Sequence, residues 1–321
     1  MERLPTVSAM FLTRGRAQLL ERALCAVLDD PATSEVVVVV DGDDPPTDDL
    51  LEGMARADSR LRVTRMPSPG TEGLDATQRG REHGTRLSDS DVVLALDDDV
   101  IAAPGLVRGH ARWHARRDDA VVVGYMPVVT PHRWPWSHAP IRFYADAYEA
   151  HCEEYRSRPD SILHNLWGGN ISLRRGRWLE VTGGGRVPCY LDDKEFGLLC
   201  LRHGLVGVFD PALRGDHWYQ RSLRGFIERA EKTPAAERQL RRAYPDLLDP
   251  EPRVRLRIPV RLLIWLARPS IGWTAVRWSL IAAISVAAAL RLRPLEDAGA
   301  RLAWRVATER SGRAPEPHDD A

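Results

Sequence analysis

The sequence predicts an α/β protein: a mostly parallel central sheet with helices on both faces, followed by a C-terminal helical appendage. Three observations carry that expectation. Short apolar runs alternate with amphipathic stretches through the first half of the chain. Residues 36–40 are five valines in succession, the pattern of a strand buried on both faces. Beyond a joint marked by Pro245, Pro250 and Pro252 the character changes, and residues 253–293 hold eight Arg and no Asp or Glu.

The elements follow in order. Residues 7–12 read as the first strand, and 17–28 as a helix with Leu19, Leu20, Ala23, Leu24 and Val27 at helical spacing. The valine strand comes next, then a helix over 50–57, a strand over 61–66 and a helix over 78–87. Residues 92–96 form a strand that runs straight into Asp97, Asp98 and Asp99. Strands are expected at 121–123, 170–173 and 206–209, with a Pro-, His- and Trp-rich loop at 131–140. Residues 191–204 read as a helix that opens on acids and stops at Gly204. These assignments divide the chain into a catalytic-type domain over 1–248 and a basic, Trp-containing helical tail over 249–321.

With 321 residues, 36.0 kDa, 44% hydrophobic and 28% charged positions, the chain has room for one large domain or two modest ones. Disordered, collagen-like and polytopic membrane classes are excluded. The formal charge is zero, from 45 basic and 45 acidic residues, so the whole chain is no general polyanion binder. That zero hides an asymmetry: residues 253–321 have 12 Arg against 6 acids, or +6, and residues 1–252 carry −6. Only Lys194 and Lys232 are lysines, as codon bias in a high-GC bacterial genome would produce. Cys25, Cys152, Cys189 and Cys200 are widely spaced, form no metal or redox motif, and read as reduced thiols. The N-terminus shows no cleavage signal, so the expected location is the cytoplasm.

Asp97, Asp98 and Asp99 stand at the carboxyl end of a buried strand, where open α/β sheets bind ligands. If the strand persists, Asp97 and Asp99 point the same way and make a hard-oxygen site suited to Mg2+ or Mn2+ carrying phosphate oxygens. An aspartate cluster alone is more often a solvated loop or a set of capping acids; the strand in front of it favours the site. Asp41 ends the valine strand, where its carboxylate can accept from the imide of a pyrimidine ring or from a ribose; a turn acid is the plainer alternative. Asp192 and Asp193 open a helix, either as ordinary N-terminal acids or as a general base with a neighbour. His217 is open to two readings, a hydrogen-bonded residue or the third member of an Asp/Asp/His metal shell.

The motifs VSAMFLTRGR, VVVVVDGDD, the DDD at a strand end, WGGNISLRR and YLDDKEFGLLCLRHG together resemble the family 2 glycosyltransferases of the GT-A fold. The 13 positions from Gly84 to Asp97, and the 12 from Asp192 to Gly204, are similar to intervals in that family. The resemblance covers about residues 5–248. It implies a GT-A sheet, a nucleotide-diphospho-sugar donor with a UDP-sugar first, and inverting transfer to an acceptor hydroxyl assisted by Mg2+ or Mn2+. By position it implies Thr13 and Arg16 in the first nucleotide loop, Asp41 at the base, and Arg81 beside the nucleotide. It implies Asp97 and Asp99 as the DxD pair touching ribose and metal, with His217 as a further ligand. Gly168, Gly169 and Asn170 would shape the donor and acceptor pocket, Asp193 with Asp192 would act as base, and Arg221 and Arg224 would clamp the diphosphate. Glu82 stands where the family usually has Asn, and Asp192 where it usually has Glu.

Trp134 and Trp136, between His132 and His138, are candidates to stack on an acceptor sugar, or to form a rigid Pro-bounded loop. The tail carries Trp265, Trp273 and Trp278, and its longest apolar run, residues 278–290, is 13 residues counting two serines. A bilayer span needs about 20. A pair of helices lying in the headgroup region of an anionic membrane through residues 253–293 fits better than a span; packing on the body or on a second copy is the alternative. The expected acceptor is accordingly lipid-linked or amphiphilic, with a soluble secondary-metabolite acceptor, or a non-catalytic nucleotide-sugar-binding scaffold, as alternatives. No nucleic acid is expected, because the basic residues are interleaved with apolar ones. A haloacid-type phosphatase is excluded, since the first strand ends in Thr-Arg-Gly-Arg rather than in an aspartate pair.

Overall fold

The computed structural model describes residues 3–66, 76–130, 137–183, 187, 190–249, 258–267 and 269–312. They fall into two compact units, Met1–Val129 with Tyr148–Trp218, and Thr130–Ala147 with Tyr219–Ala321. This packing division lies near residue 218, upstream of the proline-rich joint from which the sequence division at 248 was drawn.

The first unit is built on one eight-stranded sheet. Its strands are β1 (Val7–Thr13), β2 (Thr33–Asp41), β3 (Leu61–Met66), β4 (Val92–Asp97), β5 (Val100–Ala102), β6 (Ala120–Tyr125), β7 (Asn170–Arg174) and β8 (Val206–His217). They lie in the order β3-β2-β1-β4-β7-β6-β8-β5. The pairs β3–β2, β2–β1 and β1–β4 are parallel, as expected, and so is β6–β8; β7 runs against both its neighbours, and β5 against β8, so the sheet is mixed. One consequence organises the unit: β1, β2, β4 and β8 all end, and β7 begins, along the same edge. Thr13, Asp41, Asp97, His217 and Asn170 are brought there from distant parts of the sequence.

Helices cover both faces, which is why the central strands are apolar throughout; the five valines of β2 are each 0–1% exposed. Ala9, Phe11, Val38, Val40, Leu94 and Leu96 pack with Leu20 and Leu24 of α1 (Ala17–Leu28), Leu51 of α2 (Pro45–Ala57) and Val107 of α4 (Leu106–Arg116). The alternate residues meet α3 (Ala76–Leu87) on the other face. There Gly80 and Gly84 let the helix close on the sheet: a Cβ at Gly84 would fall 2.5 Å from the Met10 sulfur, and one at Gly80 2.5 Å from Leu12 Cδ1. Three further helices, α5 (Ala139–Ser157), α6 (Arg175–Thr182) and α7 (Asp192–Arg202), complete the set, α5 passing from the second unit into the first. Gly204, at φ +69°, follows the end of α7, where a left-handed residue closes a helix without strain.

A buried polar chain lies under the β7 end of the sheet. Asn170 Oδ1 can only accept, so His110 Nε2, 3.0 Å away, donates to it. His110 Nδ1 then accepts from the Ser172 hydroxyl at 2.7 Å, and Ser172 accepts from His114 Nε2 at 2.8 Å. Asn170 Nδ2 passes the chain on to the Leu213 carbonyl at 3.0 Å. Both imidazoles are neutral: burial, with His114 adjacent, pushes His110 down to about 3, and burial, with Arg174 adjacent, pushes His114 down to about 4.

The second unit contains α8 (Leu223–Ala243), α9 (Ile258–Leu266), α10 (Ser270–Ala289) and α11 (Arg293–Gly312). Its core joins Phe226, Ile227 and Ala230 of α8 to Ile264, Trp273, Ile284, Ala303 and Val306. Buried Glu296 receives the Ser137 hydroxyl at 2.5 Å and Arg142 at 2.6 Å; burial raises its carboxyl, but these partners outweigh it and hold the group below the ordinary range.

Candidate active site

The carboxyl edge of the sheet gathers a cluster of carboxylates around one arginine. Arg81 projects from α3, its side chain 11% exposed, and its guanidinium reaches three of them. Nη1 donates to Asp193 Oδ1 in a short ion pair and lies 3.4 Å from Asp192 Oδ2; Nη2 lies 3.4 Å from Asp97 Oδ1. Burial disfavours its charge, but Asp193, Asp192 and Asp97 outweigh that, so the guanidinium stays protonated. Asp192 and Asp193 are in the first turn of α7, where the helix dipole favours negative charge. Asp193 Oδ2 has no hydrogen-bond partner among the described residues.

Two glycines make the close approach possible. A Cβ at Gly168 would stand 2.1 Å from Asp193 Oδ1, and one at Gly169 2.7 Å from Asp97 Oδ2. Gly169 is at φ +104°, a conformation that side chains disfavour, and its carbonyl accepts the Asp97 N–H at 3.0 Å. The bare backbone of Gly168-Gly169 therefore forms the floor against which both carboxylates rest.

Asp97 and Asp99 do not share one direction. β4 ends at Asp97, and Asp98 and Asp99 are in a turn before β5, so strand alternation stops one residue too early for the expected pairing. Asp97 turns to Arg81. Asp98 and Asp99 turn to Arg16, whose Nη1 lies 2.8 Å from Asp98 Oδ1 and 2.7 Å from Asp99 Oδ2. The Thr13 hydroxyl donates to Asp98 Oδ2 at 2.8 Å. Thr13 and Arg16 thus tie the first loop to the aspartate turn through Asp98, a residue that sequence reasoning left without a role. His217 Nε2 lies 3.3 Å from Asp99 Oδ1.

These environments separate the three aspartates. Desolvation, opposed by Arg81 and reinforced by Asp99 and Asp193, holds the Asp97 carboxyl above the ordinary range, although 42% of its side-chain surface still faces solvent. Burial, opposed by Arg16, pushes Asp98 up to about 6. Burial also raises Asp99, but His217 and Arg16 outweigh it and hold that carboxyl low.

Asp41 ends β2 and is 7% exposed. Arg14 Nη1 lies 3.4 Å from its Oδ2, while Oδ1 is buried with no hydrogen-bond partner among the described residues. Two more acids shape the site without having been anticipated. Asp44 accepts from Gly15 N–H at 2.5 Å and from the Thr47 hydroxyl at 2.7 Å, fixing the loop after β1. Fully buried Glu195 accepts from Val187 N–H at 3.0 Å and from Gln78 Nε2 at 3.3 Å, anchoring α7.

The Asn170 side chain is fully buried and spent on His110 and Leu213, so it supports the glycine floor from behind rather than lining a cleft. Arg221 and Arg224 belong to the second unit, where Arg224 pairs with Glu228 at 2.8 Å and Arg221 lies over the Tyr219 ring at 5.6 Å. Trp134 and Trp136 lie outside the described residues. Among the described residues no group of three His, Cys, Asp or Glu side chains meets at metal-holding distance. The donor set is nevertheless of the right chemistry: Asp99 and His217 are adjacent, and the carboxylate crowding recorded at Asp97 is of the kind a bound cation relieves.

A parallel half-sheet whose carboxyl edge carries clustered aspartates, continued by an antiparallel strand, is the GT-A architecture. The most informative solved structure is a mannosyltransferase from Pyrobaculum calidifontis, described in complex with GDP-Man and Mn2+. It superposes with a TM-score of 0.58 over 97% of this chain and 87% of that one, at 16% identity, a likeness of fold. GalNAc-T7, described with UDP, GalNAc and Mn2+, gives 0.49 over 68% of this chain and 44% of its own, also at 16% identity. No curated protein matches the sequence. The family model for glycosyl transferase family 2 matches residues 8–176, more than half of the chain. The chain belongs to that family and is a glycosyltransferase.

Proposed function

We propose that this glycosyltransferase moves a sugar from a nucleotide-diphospho-sugar, a UDP-sugar first among them, to the hydroxyl of a lipid-linked or amphiphilic acceptor, with inversion at the anomeric carbon. The observation that carries this reading is the juxtaposition of Asp193 with Asp97 over the Gly168-Gly169 floor, both held by Arg81. In it, a base with one uncommitted oxygen stands beside a carboxylate at the sheet edge.

The buried, partnerless Oδ1 of Asp41 supports a base-recognition role, because an acceptor without a donor is costly until a ring N–H fills it. Asp193 Oδ2 takes the acceptor proton as the acceptor oxygen bonds to the anomeric carbon; the bond from that carbon to the phosphate oxygen breaks, and the nucleoside diphosphate leaves with the electron pair. Asp99 and His217 would hold a divalent cation, Mg2+ or Mn2+, which when bound supplies positive charge to the leaving diphosphate. Arg81 orients the base, and Arg16 with Thr13 keeps the aspartate turn in place. A cytoplasmic enzyme goes with this reading, in keeping with the free thiols of Cys25 and Cys152.

Calorimetry of UDP, GDP and dTDP with Mn2+ and with chelator, on the wild type and on Asp99→Asn, tests it. The expected result is metal-dependent binding of one nucleotide, UDP first, that the substitution abolishes. Failure of all three to bind would overturn the nucleotide-sugar reading; binding of GDP or dTDP instead would overturn the UDP assignment alone.

A further inference from the structure

The outer side of α9 and α10 is apolar where a water-facing surface should be polar. Trp265, Ile271, Trp278 and Leu290 are 60%, 81%, 52% and 64% exposed, and Val286 is exposed beside them. The opposite side of α10 is already used, since Trp273, Ile284 and Ala287 are buried against the other helices of the second unit. This is an excess of apolar surface on the outside of a finished core, beyond the scattered apolar residues of ordinary surfaces.

The segment that carries that face has charge of one sign. No Asp or Glu occurs in residues 252–295. Arg261, Arg277, Arg291 and Arg293 border the exposed residues, and among the described residues none of them has an ion-pair partner. Arg277 lies 6.0 Å from the Trp278 ring with its Nε buried and without a hydrogen-bond acceptor. A basic rim around an exposed tryptophan face complements anionic headgroups above acyl chains.

We infer that α9 and α10 form a docking face for an anionic lipid bilayer, and that they lie in its headgroup region rather than crossing it. α10 is long and apolar enough to span by length and composition. Crossing would cost it the core contacts of Trp273, including the Nε1–H donated to Glu231 Oε1 at 2.5 Å, and would carry Arg277 into the hydrocarbon. Docking keeps both. This inference stands apart from the sugar-transfer reading, because none of its residues belongs to the unit that carries the carboxylate cluster.

The test is flotation of the full chain with vesicles of phosphatidylcholine containing phosphatidylglycerol, beside vesicles of phosphatidylcholine alone. Two variants accompany it: Trp265→Ser/Ile271→Ser/Trp278→Ser and Arg261→Gln/Arg291→Gln/Arg293→Gln. All six side chains are exposed, and an unchanged thermal midpoint with retained nucleotide binding verifies folding independently of lipid. The wild type is expected to float with anionic vesicles and to be released by alkaline carbonate. The apolar triple should lose at least about 30-fold in partitioning, from part-burial of three large side chains. The arginine triple should lose up to about 100-fold on anionic vesicles, at roughly five-fold per Arg, and little on neutral ones. No flotation of the wild type overturns the inference. So does resistance to carbonate, which would mean a span, or a wild-type dimer that the apolar triple converts to monomer, which would assign the face to a second copy.

Discussion

Arg81 carries more of this protein than any other single side chain. Its guanidinium reaches Asp97, Asp192 and Asp193 together, and it stays charged because three carboxylates outweigh its burial. Removing it takes away the cation that these three carboxylates share, and breaking a buried pair from one side typically costs about 3–5 kcal/mol. Arg81→Met is therefore expected to lower unfolding free energy by about that amount at neutral pH, measured by urea titration. Adding Asp193→Asn to Arg81→Met should recover part of the loss, because it removes one of the repelling charges. A double-mutant cycle with no coupling between the two sites would refute the clamp. Gly168 works in the same direction by omission: its missing side chain is the space that Asp193 occupies.

The buried chain linking α4 to β7 gives the sheet an acid-sensitive support. His110 and His114 have folded values of about 3 and about 4, below the ordinary histidine value of about 6.5 in the unfolded chain. When pH falls below about 6.5 the unfolded chain binds protons that the native chain refuses, so stability is full above that value. It is lost progressively down through the folded values. Unfolding free energy should thus decline between pH 6.5 and 5, before most carboxylates titrate, and His110→Asn/His114→Asn should flatten that slope; equal slopes would show that the imidazoles do not contribute. The same chain explains a gap in what the sequence reveals. β1, β2 and β4 are legible because continuous apolar runs can only be doubly covered strands, whereas α4 hides its inner face behind His110 and His114, which are polar by type but buried. β8 reads as a strand only over 206–209, since Pro211, Gly215 and its charged residues conceal a strand that continues to His217. α5 buries Tyr148, Cys152 and Tyr155 beside Ala139 and Ile141 and follows a Pro-rich loop, so its period is muted. Around the carboxylate cluster, the sequence expectation of Asp97 at a strand end and Asp193 at a helix start agrees with β4 and α7, whereas Asp99 falls in a turn that strand alternation does not reach. The bridging role of Asp98 and the reach of Arg81 to α7 are not legible, because both depend on a turn and a helix placement that residue order does not encode.

Zero net charge is the sum of two opposed parts, −6 over residues 1–252 and +6 over residues 253–321. The acidic part holds the carboxylate cluster and is repelled by an anionic surface; the basic part holds the exposed tryptophans and is drawn to one. If the proposed docking face holds the chain on a bilayer and the acceptor is membrane-borne as proposed, joining the two in one chain would raise the acceptor's effective concentration without tighter contacts to it. The two forces at that face respond differently to salt. Screening shortens from about 10 Å at 0.1 M to about 3 Å at 1 M, so the arginine contribution fades, while the burial of Trp265, Ile271 and Trp278 does not. Affinity for anionic vesicles is accordingly expected to fall by roughly ten-fold or more between low and high ionic strength, as about two Arg contacts are screened, and then to level off above zero. Flotation across a salt series reads this directly. Complete loss at high salt would mean that the tryptophan face never inserts, and indifference to salt would mean that the arginines bordering it do not meet the headgroups.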